Sequence, residues 1–234
     1  MQRLGLHAAV CLWLLTGLAY STPSATAVVE SHLSGSTIIN ASTDKLAPAL
    51  QASVDESANR APEFVYAILA GGRADANALS ASMVSTAINS LPTPKSSLLI
   101  AQIIEAAVKA TPDMVLKIVR AAILASPNEA APAIVRAAVA SLKNPDELAT
   151  ASATSDTGRS YKEYKDFKQV ADNNPEGLTP AEQIVQTALA ANPSLDAGGL
   201  TTAATQGLKI LTSTPGDNGA HFAIWPPILP PVSK

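Results

Sequence analysis

Three consecutive stretches decide the fold of this 234-residue chain: IIEAAVKATP at residues 103–112, IVRAAILASP at 118–127 and IVRAAVASLKNP at 134–145. Each has two large aliphatic residues, a polar residue, a pair of alanines, another aliphatic residue and a closing proline. Related stretches begin at Met83 and Ile184, so the five copies start 20, 15, 16 and 50 residues apart. A period of 15–20 residues with one amphipathic stretch per copy predicts one helix per repeat.

The prolines predict where one helix ends and the next begins. Proline stops the preceding helix because the residue before it is displaced from the α region. At six places a Thr, Ser or Asn precedes the proline, which is typical of an N-cap followed by the first residue of a helix. We therefore expect helices to begin at Thr93-Pro94, Thr111-Pro112, Ser126-Pro127, Asn144-Pro145, Thr179-Pro180 and Asn192-Pro193.

The faces of these helices indicate how they pack. Residues 112–125 place Val115, Ile118, Val119 and Ala122 on one apolar face. The opposite polar stripe is narrow, so each helix should be covered on more than one side. Paired alanines in the repeats let helix axes approach closely. The sequence predicts an all-α protein of short, proline-punctuated, alanine-rich helices, stacked as a small α-solenoid or an irregular helical bundle, with a Pro-rich C-terminal tail.

Composition along the chain predicts six segments. They are a signal peptide at 1–27, a polar leader at 28–44, a helical repeat domain at 45–148, a polar insertion at 149–178, C-terminal helices at 179–213 and a Pro-rich tail at 214–234. Helices are expected over about 46–58, 62–70, 75–91, 95–110, 112–125, 127–143, 180–191 and 199–211, with a further short helix from Tyr161 to Ala171. A short extended piece is expected at residues 37–39 of the leader.

The first residues have the pattern of a secretory signal. Arg3 precedes a short apolar run at residues 8–19, and small residues follow at Ala19-Tyr20-Ser21 and at Ala25-Thr26-Ala27. Cleavage is therefore expected after Ser21 or after Ala27. An uncleaved membrane anchor is the alternative, but the run is shorter than the roughly 20 residues that a spanning helix needs. We expect an exported protein, periplasmic or extracellular, with no membrane association after cleavage.

Charge argues against nucleic-acid binding. The chain has 16 basic and 19 acidic residues, whereas nucleic-acid binders present a dense basic face. Tyr161 to Lys168 alternates aromatic residues with lysines, but Glu163 and Asp166 reduce its positive charge. A solvated helix or loop is the expectation there.

No catalytic, cofactor-binding or metal-binding residue is predicted. His32 and His221 have no His, Cys or acidic residue near them in the sequence at the spacing of metal ligands. The chain also lacks a G-x-S-x-G elbow, a phosphate-binding loop and an H-E-x-x-H motif. We therefore do not expect an enzyme.

Two groups of residues are candidates for contact with a partner. The first is in the tail and comprises Trp225, Pro226, Pro227, Pro230 and Pro231. This segment should adopt polyproline II, which docks in apolar grooves; it could bind a partner, stay free, or, as we prefer, dock on the helices of its own chain. The second is Arg120 and Arg136, which share one repeat position with Glu105 and Gln186. They would form a ridge for an acidic partner if the repeats stack in register, or otherwise belong to a solvated outer face.

The sequence thus favours a structural or protein-interaction role with an unidentified protein partner. The first alternative is association with a lipid surface, because proline-separated amphipathic helices also occur in lipid-coating proteins. The scarcity of charge and of interfacial aromatics on the helices argues against it. The second alternative is an enzyme of unfamiliar type that uses the insertion as a lid.

Overall fold

A computed structural model of the chain describes residues 23–142 and 180–212, with side chains through residue 210. The signal segment up to residue 22, the insertion with its expected helix from Tyr161 to Ala171, and the tail lie outside the described residues. All regular structure in the two described ranges is helical, and the helices pack against one another. The all-α prediction is therefore confirmed.

Nine α-helices occur in the described ranges, and we number them in chain order. They are α1 (Ala25–Ser31), α2 (Thr43–Glu56), α3 (Ala61–Ala70), α4 (Ala76–Asn89), α5 (Ser97–Ala110), α6 (Val115–Ala125), α7 (Ala131–Ala140), α8 (Pro180–Ala191) and α9 (Ala197–Thr212). Short 3₁₀ turns precede α3, α6 and α7, at Ala58–Arg60, Pro112–Met114 and Asn128–Ala130.

Among the nine described helices, each packs most extensively against the helix two positions away in this numbering. One row therefore contains α1, α3, α5, α7 and α9, and a second row contains α2, α4, α6 and α8. Successive helices also touch across the two rows. Helix α8 packs on α6 and α7.

The core between the rows is built almost wholly from aliphatic residues and alanine. Phe64 is the only aromatic residue among the buried side chains of the described ranges. The alanines Ala107, Ala122 and Ala138 are fully buried, which agrees with the predicted close approach of helices. On α6 the four predicted apolar positions are all fully buried. Helical periodicity thus identified the buried face correctly.

The prolines mark helix boundaries as predicted, but Thr93, Thr111, Ser126 and Asn192, the four preceding residues that the structure describes, do not act as N-caps of the α-helices. Helix α5 ends at Ala110 and α6 at Ala125, each one residue before a predicted Thr-Pro or Ser-Pro pair. Helix α8 begins at Pro180 and ends at Ala191, before Asn192-Pro193. Asn144-Pro145 and Thr179 lie outside the described residues.

The predicted N-cap role of Thr111 and Ser126 is wrong. The Thr111 side chain is buried, and its hydroxyl donates back to the Ala107 carbonyl of α5 at 3.0 Å. It therefore satisfies the end of the preceding helix instead of the start of the next. The Ser126 Oγ atom is buried and finds no hydrogen-bond partner among the described residues. A 3₁₀ turn begins at Pro112 in one place and directly after Pro127 in the other, and the α-helix begins three or four residues after the proline.

Thr93 and Asn192 are not N-caps either, because their prolines lie in connecting turns. The N-cap of α5 is Ser96, whose hydroxyl oxygen accepts from the Leu99 backbone N–H at 3.4 Å. At α9 the Asp196 carboxylate accepts from the N–H groups of Gly198 and Gly199 at 3.1 and 2.9 Å. The helices thus begin three or four residues after these prolines.

The leader is more ordered than a polar connection. Helix α1 begins at Ala25, and Val29, Leu33 and Ile38 are buried in the core. The Ile38 N–H donates to Glu30 Oε1 at 2.9 Å. Residues 38–40 form a turn, so the expected extended piece at 37–39 is wrong. Burial of apolar side chains, which are spread thinly among serines and threonines here, decides this conformation.

Candidate interaction surface

Arg120 lies on the exposed face of α6. Lys117, Arg120 and Leu124 are spaced three and four residues apart, which puts them on one side of the helix. Arg120 is exposed and Lys117 half-buried, while Leu124 is 64% exposed. A large apolar side chain therefore lies one turn from a guanidinium group on the same face.

A second exposed leucine lies at the same end of the α5–α6 pair. Lys95 Nζ donates to the Ala125 carbonyl oxygen at 2.9 Å and so joins the turn before α5 to the end of α6. Leu124 directly precedes Ala125, and Leu98, 53% exposed, follows Lys95 by three residues. We call Lys95, Leu98, Lys117, Arg120 and Leu124 the α6 surface.

The chemistry of the α6 surface is cationic and apolar. A guanidinium presents planar N–H donors that match a carboxylate in two parallel hydrogen bonds. Leucine side chains left in water gain free energy when a partner covers them. Asp113 is exposed just before α6, at the opposite end from Leu124, and Glu182 is exposed on the neighbouring α8. The surface therefore combines exposed leucines with the exposed guanidinium of Arg120, and the exposed Glu129 follows in the turn before α7.

Arg136 occupies a different environment from Arg120. It belongs to α7 in the other row, and its side chain is half-buried. Helix α9 packs on α7, and Gly207 of α9 lies close to the Arg136 carbonyl oxygen. Arg136 is therefore less exposed than the solvated outer face that the sequence led us to expect for it.

The four residues of the shared repeat position do not form a single ridge. Arg120 and Gln186 are exposed in the row of α6 and α8. Glu105 and Arg136 are half-buried in the row of α5 and α7, where Glu105 also pairs with Lys109. Successive repeats alternate between rows, so one repeat position is divided between two surfaces. The tail residues Trp225, Pro226, Pro227, Pro230 and Pro231 lie outside the described residues, and their contact with a partner stays a prediction.

A buried cation that the sequence did not suggest is Arg73. Its side chain is only 7% exposed and lies in the turn between α3 and α4. Nε and Nη2 donate to the two carboxylate oxygens of Asp75 at 2.8 Å each. Nη1 donates to the carbonyl oxygens of Ile38 and Ala41 at 2.6 and 2.7 Å. Arg73 therefore fastens the segment before α2 to the turn after α3.

The contacts of Arg73 also change the pKa of the Asp75 carboxyl. Hydrogen bonds from the Arg73 guanidinium, together with its positive charge, lower the pKa of the Asp75 carboxyl below its ordinary value of 3.8. Thr43 Oγ1 also donates to Asp75 Oδ2, at 3.3 Å. Because the Arg73 donors are used within the chain, we interpret this cluster as structural. The sequence signal was slight: a single Arg-x-Asp after two glycines.

No group of three or more His, Cys, Asp or Glu side chains in residues 23–142 and 180–212 is placed to hold a metal ion. His32 Nε2 lies 3.3 Å from Glu56 Oε2, an acidic neighbour that the sequence spacing did not reveal. None of the described helices has the length and apolar character needed to cross a bilayer.

Comparison of the chain with protein-family models, with curated proteins and with solved structures finds no match.

Proposed function

We propose that this protein is an exported, non-enzymatic interaction module whose α6 surface binds a partner carrying carboxylate and apolar side chains. Export is inferred from the basic start and short apolar run of residues 1–27. The observation that carries the binding proposal is the exposure of Leu124, one helical turn from exposed Arg120.

The packing of the helices supports an interaction role. Contacts between each helix and its second neighbour are those of a stacked helical array, which favours the α-solenoid interpretation over an irregular bundle. Such arrays present extended surfaces built from several helices. The α6 surface combines residues from α6, from α5 and from the turn before α5 in this way.

Burial of the leucines would supply much of the binding free energy. Covering a leucine side chain contributes about 1.5–3 kcal/mol, and the guanidinium adds orientation toward a carboxylate. The partner should therefore dissociate faster when Leu124 is shortened and associate more slowly when Arg120 is reversed in charge.

Site-specific photocrosslinking tests the proposal. A benzophenone amino acid at position 124 of the full chain should give a discrete adduct in the exported fraction, and Arg120→Glu should reduce its yield several-fold. The matched control places the crosslinker at Lys45, an exposed residue on α2, with Gln51→Glu, also on α2, as the charge control. Equal adducts at positions 45 and 124, or no effect of Arg120→Glu, would overturn the assignment of this surface.

Two further measurements separate this function from its alternatives. In flotation with vesicles of anionic lipid, the processed protein should stay in the dense fraction; movement with the vesicles would favour a lipid-associated role. A hydrolase screen on the purified protein should give no turnover above that of the buffer, and robust turnover would overturn the non-enzymatic part of the proposal.

A further inference from the structure

We infer that the signal segment is removed between Ser21 and Thr22, and not after Ala27. This inference rests on the proposed export of the chain. The sequence offers small residues at both places. The distinction comes from what residues 23–29 do in the fold.

The first turn of α1 depends on residues before Ala27. The Ser24 hydroxyl oxygen accepts from the Ala27 N–H at 3.1 Å, and the Ser24 carbonyl accepts from the Val28 N–H at 3.0 Å. Cleavage after Ala27 would remove this cap and three of the seven residues of the helix. The remaining Val28–Ser31 is about one turn, too short to hold helical structure by its own hydrogen bonds.

Cleavage after Ala27 would also place a positive charge at the start of the remaining helical turn. The new α-ammonium group would belong to Val28, whose N–H donates to the Ser24 carbonyl oxygen in the described chain, and it would adjoin the fully buried Val29. A positive charge at a helix N-terminus opposes the helix dipole. A chain that begins at Thr22 has its ammonium ahead of Pro23 and Ser24, both of which are exposed.

Arg60 supplies an independent contact. Its Nη2 donates to the Pro23 carbonyl oxygen at 2.9 Å. The same guanidinium is held by α3, through Glu63 Oε2 at 2.9 Å and the ring of Phe64 at 5.3 Å from its centroid. A rigidly placed donor thus binds residue 23 to the start of α3. Loss of residues 22–27 would remove the acceptor of Arg60 Nη2, and this contact would no longer join the N-terminal end of α1 to α3.

Identification of the first residue of the exported protein tests this cleavage position. The full chain would be produced in a bacterial host and fractionated, and its N-terminus determined by intact mass and by sequential degradation. Two matched variants, Ser21→Leu and Ala27→Leu, each put a bulky residue at one candidate cleavage site. Ala27 is exposed, so the second change leaves the packing of α1 intact.

We expect the exported chain to begin at Thr22, Ser21→Leu to lose most of the processed product, and Ala27→Leu to be processed like the wild type. An exported chain that begins at Val28 or at any residue other than Thr22 overturns this inference and leaves export standing. A chain that keeps Met1 and stays in the cytoplasmic or membrane fraction overturns both.

Discussion

Gly207 of α9 lies directly against the backbone of Arg136 in α7. A Cβ atom at position 207 would lie 2.7 Å from the Arg136 carbonyl oxygen and 2.8 Å from Val139 Cβ. Both distances are well below van der Waals contact, and one of the atoms belongs to the backbone, which cannot rotate away. The approach of α9 to α7 therefore requires glycine at this position.

Gly207→Ala should destabilise the protein even though alanine favours helix. The intrinsic helix propensity of alanine is about 1 kcal/mol better than that of glycine, but overpacking of a helix contact costs about 1–3 kcal/mol. We expect a lower midpoint in thermal unfolding, measured by circular dichroism. Gly198→Ala is the control, because a Cβ there would lie 3.4 Å from one flexible carboxylate oxygen of Asp196. Equal midpoints for the two variants would contradict the close approach.

Arg73→Met should reduce the free energy of unfolding by about 2–4 kcal/mol, because the Ile38 and Ala41 carbonyls lose their donor and unsatisfied buried groups cost about 1–3 kcal/mol each. Urea unfolding at neutral pH measures this. Arg120→Met, a change at an exposed arginine, should stay within about 0.5 kcal/mol of the wild type. A small effect at Arg73 would mean that the segment before α2 is not held by this side chain.

The same cluster predicts a pH dependence. Hydrogen bonds from Arg73 keep the folded pKa of Asp75 below 3.8. The ionised carboxylate therefore stabilises the folded chain above pH 3.8, and this stabilisation is lost as the pH falls through the lowered folded pKa. Asp75→Asn should be less stable than wild type at pH 7, and the difference should shrink toward pH 2.

Urea unfolding at a series of pH values tests this, with Asp55→Asn on the exposed face of α2 as the control for net charge. A difference between Asp75→Asn and wild type that stays constant from pH 7 to pH 2 would show that the carboxylate charge is not responsible.

The helix caps give a fourth prediction. Asp196→Ala removes two hydrogen bonds at the start of α9 and should cost about 0.5–2 kcal/mol. Ser126→Ala should be neutral or slightly stabilising, because the buried Ser126 hydroxyl has no hydrogen-bond partner among residues 23–142 and 180–212. If Ser126 and Asn192 were the N-caps, Ser126→Ala would lower the free energy of unfolding more than Asp196→Ala. Urea unfolding of both variants therefore distinguishes the two interpretations.

Helix positions and buried faces were predictable from the sequence because they depend on local periodicity. The positions Ile118, Val119 and Ala122 recur with a spacing that only a helix can bury on one side, and the structure buries all three. The role of each proline-preceding residue was not predictable in this way. Thr111 donates to α5 because the preceding helix supplies the nearest acceptor, and that choice depends on the geometry of both helices.

The exposure of the candidate site residues could not be predicted from the local sequence either. The sequence IVRAA occurs at residues 118–122 and again at 134–138, yet Arg120 is exposed and Arg136 is half-buried. The two arginines also differ in their neighbours, because α9, which lies far from α7 in the sequence, packs extensively on α7. The exposure of Leu98 and Leu124 was likewise set by which faces the neighbouring helices leave open.

The alternation of two rows has a consequence for how such a protein can change in length. All extensive contacts between described helices join helices one or two positions apart, so the interface between α3 and α5 does not involve α9. We therefore expect the interface between α3 and α5 to persist when a helix pair is added or removed at the end that carries α9. Relatives of this chain should then differ in helix number by twos.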